Sequence, residues 1–324
     1  MMRTNAEPEW VPDRLLSGYE TTTLPLDGAE PAAGEPDDAP LVGTLLRRDA
    51  PSRPGAVVYL HGWNDYFFHP HVGDFFDGLD RDFYAIELRR YGRSLAPGQY
   101  KGFISDLSDY FAELDAAMEI VAAHHDEVVL MGHSTGGLVA SLWVAERPGR
   151  VKALVLNSPW IDLGGSMLMQ AATRSVLQRW ASSRPTSLLP LPNNGFYVRT
   201  LDVAQDGEWT MEPEWKNATD FSPRAAWLAA ILAGHAKVKA GLGIEVPVLV
   251  MASARSDFRR DWDEALRTVD IVLDVDKMAA RAVRLGSCVT VVRITDGIHD
   301  LTLSAPEVRA RVFAELERWI GAYA

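Results

Sequence analysis

Ser134 is the residue of this chain whose neighbours best suit a nucleophile. It stands in Val128-Val129-Leu130-Met131-Gly132-His133-Ser134-Thr135-Gly136-Gly137, where four apolar residues run into Gly-x-Ser-x-Gly. An apolar, helix-like pattern follows from Leu138 to Ala145. The order is strand, tight turn, helix, with the serine at the tip of the turn. A serine so placed holds its oxygen above a sheet, and small flanking residues relieve the crowding. The helix behind it offers N–H groups and a positive dipole end to a developing anion. Roughly one chain in ten of this length would carry the five-residue pattern by chance. The strand before it and the helix after it separate it from an ordinary Gly-rich turn.

A serine hydroxyl attacks poorly near neutral pH. It needs a base within hydrogen-bond reach, and the base needs a group that fixes its tautomer. Downstream of Ser134 stand two histidines, His235 and His299. His299 lies in Thr295-Asp296-Gly297-Ile298-His299-Asp300, a loop directly after the last apolar strand, which puts it at the same sheet edge as Ser134. His235 lies in a helical pattern, so His299 is the expected base. The acid belongs after the strand Val246–Ala252, where Asp257, Asp261, Asp263, Asp270, Asp274 and Asp276 are available. Asp270 is preferred because it opens Asp270-Ile271-Val272-Leu273-Asp274, just before the helical pattern resumes. Asp257 is the alternative acid. Ser253 to Thr268 then reads as a charged excursion, Asp274 as a helix N-cap, and the rest as solvated carboxylates.

An oxyanion would be held by backbone N–H groups, so side-chain identity says little about them. The expected donors are Thr135, next to the nucleophile, and Trp63 in His61-Gly62-Trp63-Asn64-Asp65, where Gly62 allows close approach. His61 reads as a structural partner of its own loop. His133 is expected beside the turn and, with Trp160, as a substrate contact. His69-x-His71 with Asp65 and Asp74 lacks a His-Glu-x-x-His frame, and no phosphate-binding glycine loop occurs, so neither a metal nor a cofactor is expected. Arg89, Arg90 and Arg93 are expected to pair with sheet-edge carboxylates, and His124-His125-Asp126 to be a solvated helix end.

The elements that must position these residues follow an α/β rhythm. Strands are predicted at Tyr19–Leu26, Leu41–Leu46, Ala56–Leu60, Phe83–Leu88, around Val128, and at Lys152–Leu156, Val246–Ala252 and Val289–Ile294. The loop Asp27–Pro40 between the first two reads as solvated. Phe67 to Leu79 reads as a short helix or loop. Helical spacing marks Ile104–His124, Lys277–Leu285 and Pro306–Tyr323. From Pro159 to about Ala240 the alternation stops, although helical patterns appear near Gly165–Ala181 and Arg224–Ala240. Trp160, Trp180, Trp209, Trp215 and Trp227, half of the ten tryptophans, fall in this stretch. The reading is a mostly parallel, eight-stranded sheet with helices on both faces: an α/β core of residues 1–158 and 241–324, interrupted by a helical cap at 159–240.

Composition limits the partners. The chain has 324 residues, is 47% hydrophobic and 23% charged, and carries a net charge of −12, values that suit a soluble globular protein. Its mean hydropathy is −0.07. The acidic balance argues against nucleic acid and anionic membranes. No run approaches eighteen apolar residues, and no secretory signal is visible, so a cytoplasmic location without membrane insertion is the expectation. The single cysteine, Cys288, excludes an internal disulfide framework and reads as a buried thiol at a strand edge.

In order, His61-Gly62, Glu87-x-Arg89-x-x-Gly92-x-Ser94, Gly132-His133-Ser134-Thr135-Gly136-Gly137 and Gly297-Ile298-His299 resemble the α/β-hydrolase superfamily. More narrowly, they look like its monoacylglycerol lipase, lysophospholipase and serine aminopeptidase-like branch. The likeness covers about Tyr19–Pro159 and Val246–Ala324. It implies the α/β-hydrolase fold, a Ser–Asp–His triad, a helical cap and no cofactor. The chain departs from the branch at Glu87, where Asp is usual, at Arg90, where Gly is usual, and in the excursion that replaces Gly-x-x-Asp. Asp270-Ile-Val-Leu-Asp is similar to the segment that begins with the acid in that branch. The expected activity is hydrolysis of small acyl esters through an acyl-serine, the Trp- and Met-rich stretch suiting an apolar acyl chain. An acyltransferase or aminopeptidase with the same triad, or a silent binding protein on the same fold, would be the alternatives.

Overall fold

In the computed structural model, residues 8–162, 177–189, 194–218 and 222–324 are described. The sheet strands are β1 (Val11–Pro12), β2 (Glu20–Pro25), β3 (Val42–Arg47), β4 (Gly55–Leu60), β5 (Arg81–Glu87), β6 (Glu127–His133), β7 (Ala153–Asn157), β8 (Val248–Ser253) and β9 (Val289–Ile294). They lie in the order β1-β2-β3-β5-β4-β6-β7-β8-β9. β1, β2, β3 and β5 pair antiparallel, and β5, β4, β6, β7, β8 and β9 pair parallel. The eight predicted strands are β2 to β9. The ninth, β1, is a two-residue exposed pairing against Glu20 and Thr21, too short to leave an apolar pattern.

β4 shows why the parallel strands read as continuous apolar runs. All six of its residues are buried. Ala56, Val58 and Leu60 join one hydrophobic cluster, whereas Val57 and Tyr59 join another on the opposite face. A strand covered on both faces has no polar side to show. The second face is covered by α1 (His71–Gly78) and α7 (Pro306–Tyr323), through Phe76, Leu316 and Trp319. The first face is covered by α2 (Phe111–Ala122), α3 (Ser134–Glu146), α5 (Ala225–Ala240) and α6 (Val275–Ala282). Each large apolar side chain so buried contributes about 1.5–3 kcal/mol.

α3 is buried from Ser134 to Val144 and has no polar face, as befits a helix with neighbours all round. α5 packs directly on it. A Cβ at Gly234 of α5 would lie 3.0 Å from Leu107 and 3.2 Å from Leu138, so glycine permits the approach. Between β7 and β8 also lie the short α4 (Phe196–Leu201) and helical residues 177–183. Most of the helical pattern predicted near Gly165–Ala181 falls outside the described residues.

Two surface expectations, at His125 and Cys288, are corrected, and the loop Asp27–Pro40, largely exposed as expected, has one buried anchor. The loop Asp27–Pro40 is anchored: Glu35 is buried and accepts from Arg90 Nε (2.8 Å), Arg90 Nη2 (2.6 Å) and the Tyr100 amide (2.7 Å). Burial pushes the Glu35 carboxyl up, but Arg90 and the amides outweigh it and hold it below its ordinary value. Thus Arg90, a departure from the usual glycine, pins a long loop. Arg89 pairs with Glu113 of α2, and Arg93 with Asp13 and Glu87. His125 is buried rather than solvated, since Nδ1 donates to Arg53 O and Nε2 accepts from Tyr84 Oη, each at 2.9 Å. Cys288 is half-buried, because β9 is an edge strand whose residues are largely part-exposed.

Candidate active site

The turn from β6 into α3 closes only because of two glycines. A Cβ on Gly132 would sit 2.8 Å from Gly136 O, and one on Gly136 would sit 2.2 Å from His61 O. Ser134 between them has φ +51°. Holding a side-chain-bearing residue in that left-handed region costs about 1–2 kcal/mol, which the buried helix behind it sustains. Thr135 follows in the first turn of α3, at the positive end of its dipole.

Asp270 reaches the same edge by a detour. The chain leaves β8, makes the excursion, and returns to pair with itself: Asp270 N donates to Arg255 O (3.1 Å) and Asp257 N to Asp270 O (3.0 Å). This short bridge extends the edge beyond β8 and sets Asp270 there, fully buried. Its Oδ1 accepts from the amides of Val272 and Leu273, both at 2.8 Å. Its Oδ2 faces His299 Nδ1 at 2.9 Å, and His299 Nε2 lies 3.0 Å from Ser134 Oγ. A carboxylate can only accept, so Nδ1 carries the hydrogen, which leaves Nε2 to accept the serine proton. Asp257, the other candidate acid, is directed away from this group and binds Arg259 (2.6 Å). His235 is likewise apart, with Nε2 bonded to Trp160 O (2.8 Å).

The loop after β4 runs against the serine. A Cβ on Gly62 would lie 3.0 Å from Ser134 Cβ. His61 fixes this loop from inside. Leu88 N donates to its Nε2 (3.1 Å), so Nδ1 must be the protonated nitrogen, and it donates to Gly62 O (2.7 Å). Burial holds the ring below its ordinary pKa, which keeps this tautomer neutral. In a trans peptide the C=O and N–H point oppositely, so anchoring Gly62 O turns the Trp63 N–H the other way. The Trp63 ring packs against Trp227 of α5 with its plane tilted by 39°, centroids 3.8 Å apart, and Trp227 meets Trp160 at 5.9 Å. Trp160 also donates its amide to Ser134 O (2.9 Å).

His133 is buried beside the Ser134–His299–Asp270 group, its ring 4.9 Å from that of His299. Its Nδ1 donates to Asn157 O (3.0 Å), and its Nε2 stands 3.8 Å from Asp300 Oδ2. Asp300 Oδ1 accepts from Asn157 Nδ2 (2.7 Å) and Thr302 Oγ1 (2.7 Å). Tyr197 of α4 packs edge-on against His299 at 5.5 Å and accepts from Asp300 N (3.2 Å).

Sequence reasoning missed three members of this neighbourhood: Lys216, Tyr197 and Asp300. Lys216 Nζ bonds Asp65 Oδ1 (2.6 Å), and both side chains are buried. Asp300 shows its proximity by standing next to His299. Lys216 leaves no signal, because a lone lysine among Trp, Pro and Asn reads as surface. Among the described residues, Asp65, His133 and Asp300 form the one group whose ligand atoms lie within 4.8 Å of one another. Lys216 already supplies a positive charge there, so a metal ion would compete with a fixed ammonium. The His69–His71 pair does not make a site either: His71 Nε2 is bound to Thr302 O (2.8 Å), and Asp74 pairs with Arg48.

Comparison with known proteins is decisive for the family. Residues 51–258 match the family described as serine aminopeptidase, S33. The chain belongs to that family. Its fold is the α/β-hydrolase fold, and the family makes it a hydrolase. It is 25% identical over 273 residues to the monoacylglycerol lipase of Mycolicibacterium smegmatis, covering 82% of this chain and 88% of that protein. Among solved structures it is similar to a soluble variant of the monoglyceride lipase of Saccharomyces cerevisiae, with TM-score 0.61, 14% identity and coverage of 99% and 98%. It is also similar to the monoacylglycerol lipase of Paleococcus ferrophilus, with TM-score 0.59, 15% identity and coverage of 83% and 94%. At such identities the two structures speak for the fold alone. No helix among the described residues is long and apolar enough to cross a membrane.

Proposed function

We propose that the protein cleaves carboxylic esters through an acyl-Ser134 intermediate. The observation that carries this reading is the unbroken chain Ser134 Oγ–His299 Nε2, 3.0 Å, and His299 Nδ1–Asp270 Oδ2, 2.9 Å, on a left-handed serine. In the proposed reaction Ser134 Oγ adds to the ester carbonyl as His299 takes its proton. The oxyanion is held by the N–H groups of Trp63 and Thr135 and by the end of the α3 dipole. His299 then returns the proton to the departing alcohol, and a water deprotonated by His299 releases the acid. Asp270 keeps the ring in the productive tautomer and balances the imidazolium.

The substrate class we propose is an ester with an apolar acyl group, monoacylglycerol-, lysophospholipid- or short-chain-ester-like. Trp63, Trp160 and Trp227 supply an apolar surface next to Ser134, and the relative named a monoacylglycerol lipase, matched over 88% of its length, agrees with it. We take residues 159–240 as the cap of this site. The test is labelling with a fluorophosphonate probe together with turnover of monoacylglycerols and p-nitrophenyl esters of graded length. Labelling and ester turnover that vanish in Ser134→Ala are expected; an unlabelled wild-type protein would refute the reading.

A further inference from the structure

The loop that carries Trp63 is gripped at its far side by the segment between β7 and β8. Asn64 Nδ2 donates to Asn217 O (2.6 Å), and Asn64 Oδ1 accepts from Asn217 N (3.3 Å). The next residue, Asp65, accepts from Lys216 Nζ at 2.6 Å, with side chains only 2% and 3% exposed. Two consecutive residues of one segment therefore meet two consecutive residues of the other. Asn64 itself has φ +51°, a conformation in which asparagine is favoured over most residues. On the near side of Trp63, the His61 ring ties down Gly62 O. The Trp63 peptide thus lies between two anchors, one from the sheet core and one from the β7–β8 segment.

A buried ion pair is a poor choice for mere adhesion. Desolvating both charges costs much of what their attraction returns, and apolar residues of like volume would hold the segments together as well. What a buried ion pair flanked by a two-bond amide contact does supply is register: a one-residue slip would strand an ammonium and a carboxylate away from water. Lys216 is further enclosed by the rings of Phe68 and Tyr197, 5.5 and 5.7 Å from Nζ. We propose that Lys216 and Asn217 are positioning residues for the oxyanion loop, so that docking of the β7–β8 segment sets the Trp63 N–H. This rests on the serine-hydrolase reading above.

The test uses three variants of the full chain. Asn64→Gly keeps the left-handed backbone and removes both amide bonds. Lys216→Met leaves a buried carboxylate uncompensated and loses fold stability, so Lys216→Met with Asp65→Asn accompanies it. For each, kcat and KM on one ester, the melting temperature, and the affinity for an alkyl trifluoromethyl ketone are measured. That ketone forms an oxyanion on adding Ser134 Oγ. A misplaced donor costs about 10- to 100-fold. The expected result for Asn64→Gly and the double variant is a loss of that size in kcat, KM within about threefold, and a parallel loss of ketone affinity. Unchanged kcat and ketone affinity in Asn64→Gly, or a change confined to KM or to melting temperature, overturns the proposal. Failure of the underlying reading looks different: the wild-type protein itself would not label at Ser134.

Discussion

At the C-terminal edge of the sheet two buried histidines stand with rings 4.9 Å apart, each facing a buried aspartate, and their bonding differs. In the Asp270–His299 pair the carboxylate meets Nδ1 at 2.9 Å and leaves Nε2 for the serine. In the Asp300–His133 pair the ring gives its Nδ1 hydrogen to Asn157 O, and its Nε2 stands 3.8 Å from the carboxylate, beyond hydrogen-bond reach. Burial holds His133 below its ordinary pKa despite the pull of Asp300. Proximity of an acid to a histidine therefore does not fix what the ring binds. What decides is which ring nitrogen the backbone has claimed, and whether the other one points at a hydroxyl.

The comparison can be broken most forcefully at the serine. Ser134→Ala should abolish probe labelling and lower kcat by about 10⁵–10⁶-fold, with the fold intact by circular dichroism. Asp270→Asn, which offers His299 a donor where it needs an acceptor, should cost about 10⁴-fold in kcat. Asp300→Asn makes the opposite case. Its new amide would donate to His133 Nε2 while its oxygen keeps the Asn157 and Thr302 bonds, so turnover should stay within about 10-fold of wild type and thermal stability should not fall. Equal losses in the two Asp→Asn variants would erase the distinction between the pairs.

Two other buried histidines give a pH test. Burial lowers His69 and His235 from 6.5 to about 4. Between those values the unfolded chain binds protons that the folded chain refuses, so stability is lost as pH falls from 6.5 toward 4. At pH 5 the loss is on the order of 1–2 kcal/mol for each. Melting temperatures at pH 7 and pH 5 would measure it, and His235→Gln should flatten the dependence. The smallest effect belongs to Asp257→Asn, which breaks a half-exposed pair with Arg259. Its rate should lie within about twofold of wild type, since such pairs carry under 1 kcal/mol. A large loss there would reopen the assignment of the acid.

The strand–turn–helix around Ser134 was legible because its signals are local: apolar β-formers, glycines at two positions and a helix with no polar face. The sheet followed from continuous apolar runs, since strands covered on both faces must be apolar throughout. His299 was legible from order alone. Asp270 was only one of six carboxylates, because a long excursion severs the chain distance from β8 and only a backbone pairing at Arg255 and Asp257 restores it. His125 and Glu35 read as solvated and proved buried: each is polar in sequence, and its hydrogen-bond partners, Tyr84 and Arg90, lie 41 and 55 residues away.

Sequence by itself determined the mostly parallel sheet, the turn that carries Ser134 and the loop that brings His299 to it, because strand runs, close-packed glycines and chain order are properties of neighbouring residues. Tertiary structure alone decided which carboxylate meets His299 and that His133, one residue from the serine, turns to Asn157 instead. It also decided that Lys216 lies buried against Asp65 beside the loop that follows β4. Those outcomes depend on hydrogen bonds between residues far apart in the chain. A buried donor or acceptor takes whatever partner the packing brings within 3 Å, and no spacing in the sequence records that choice.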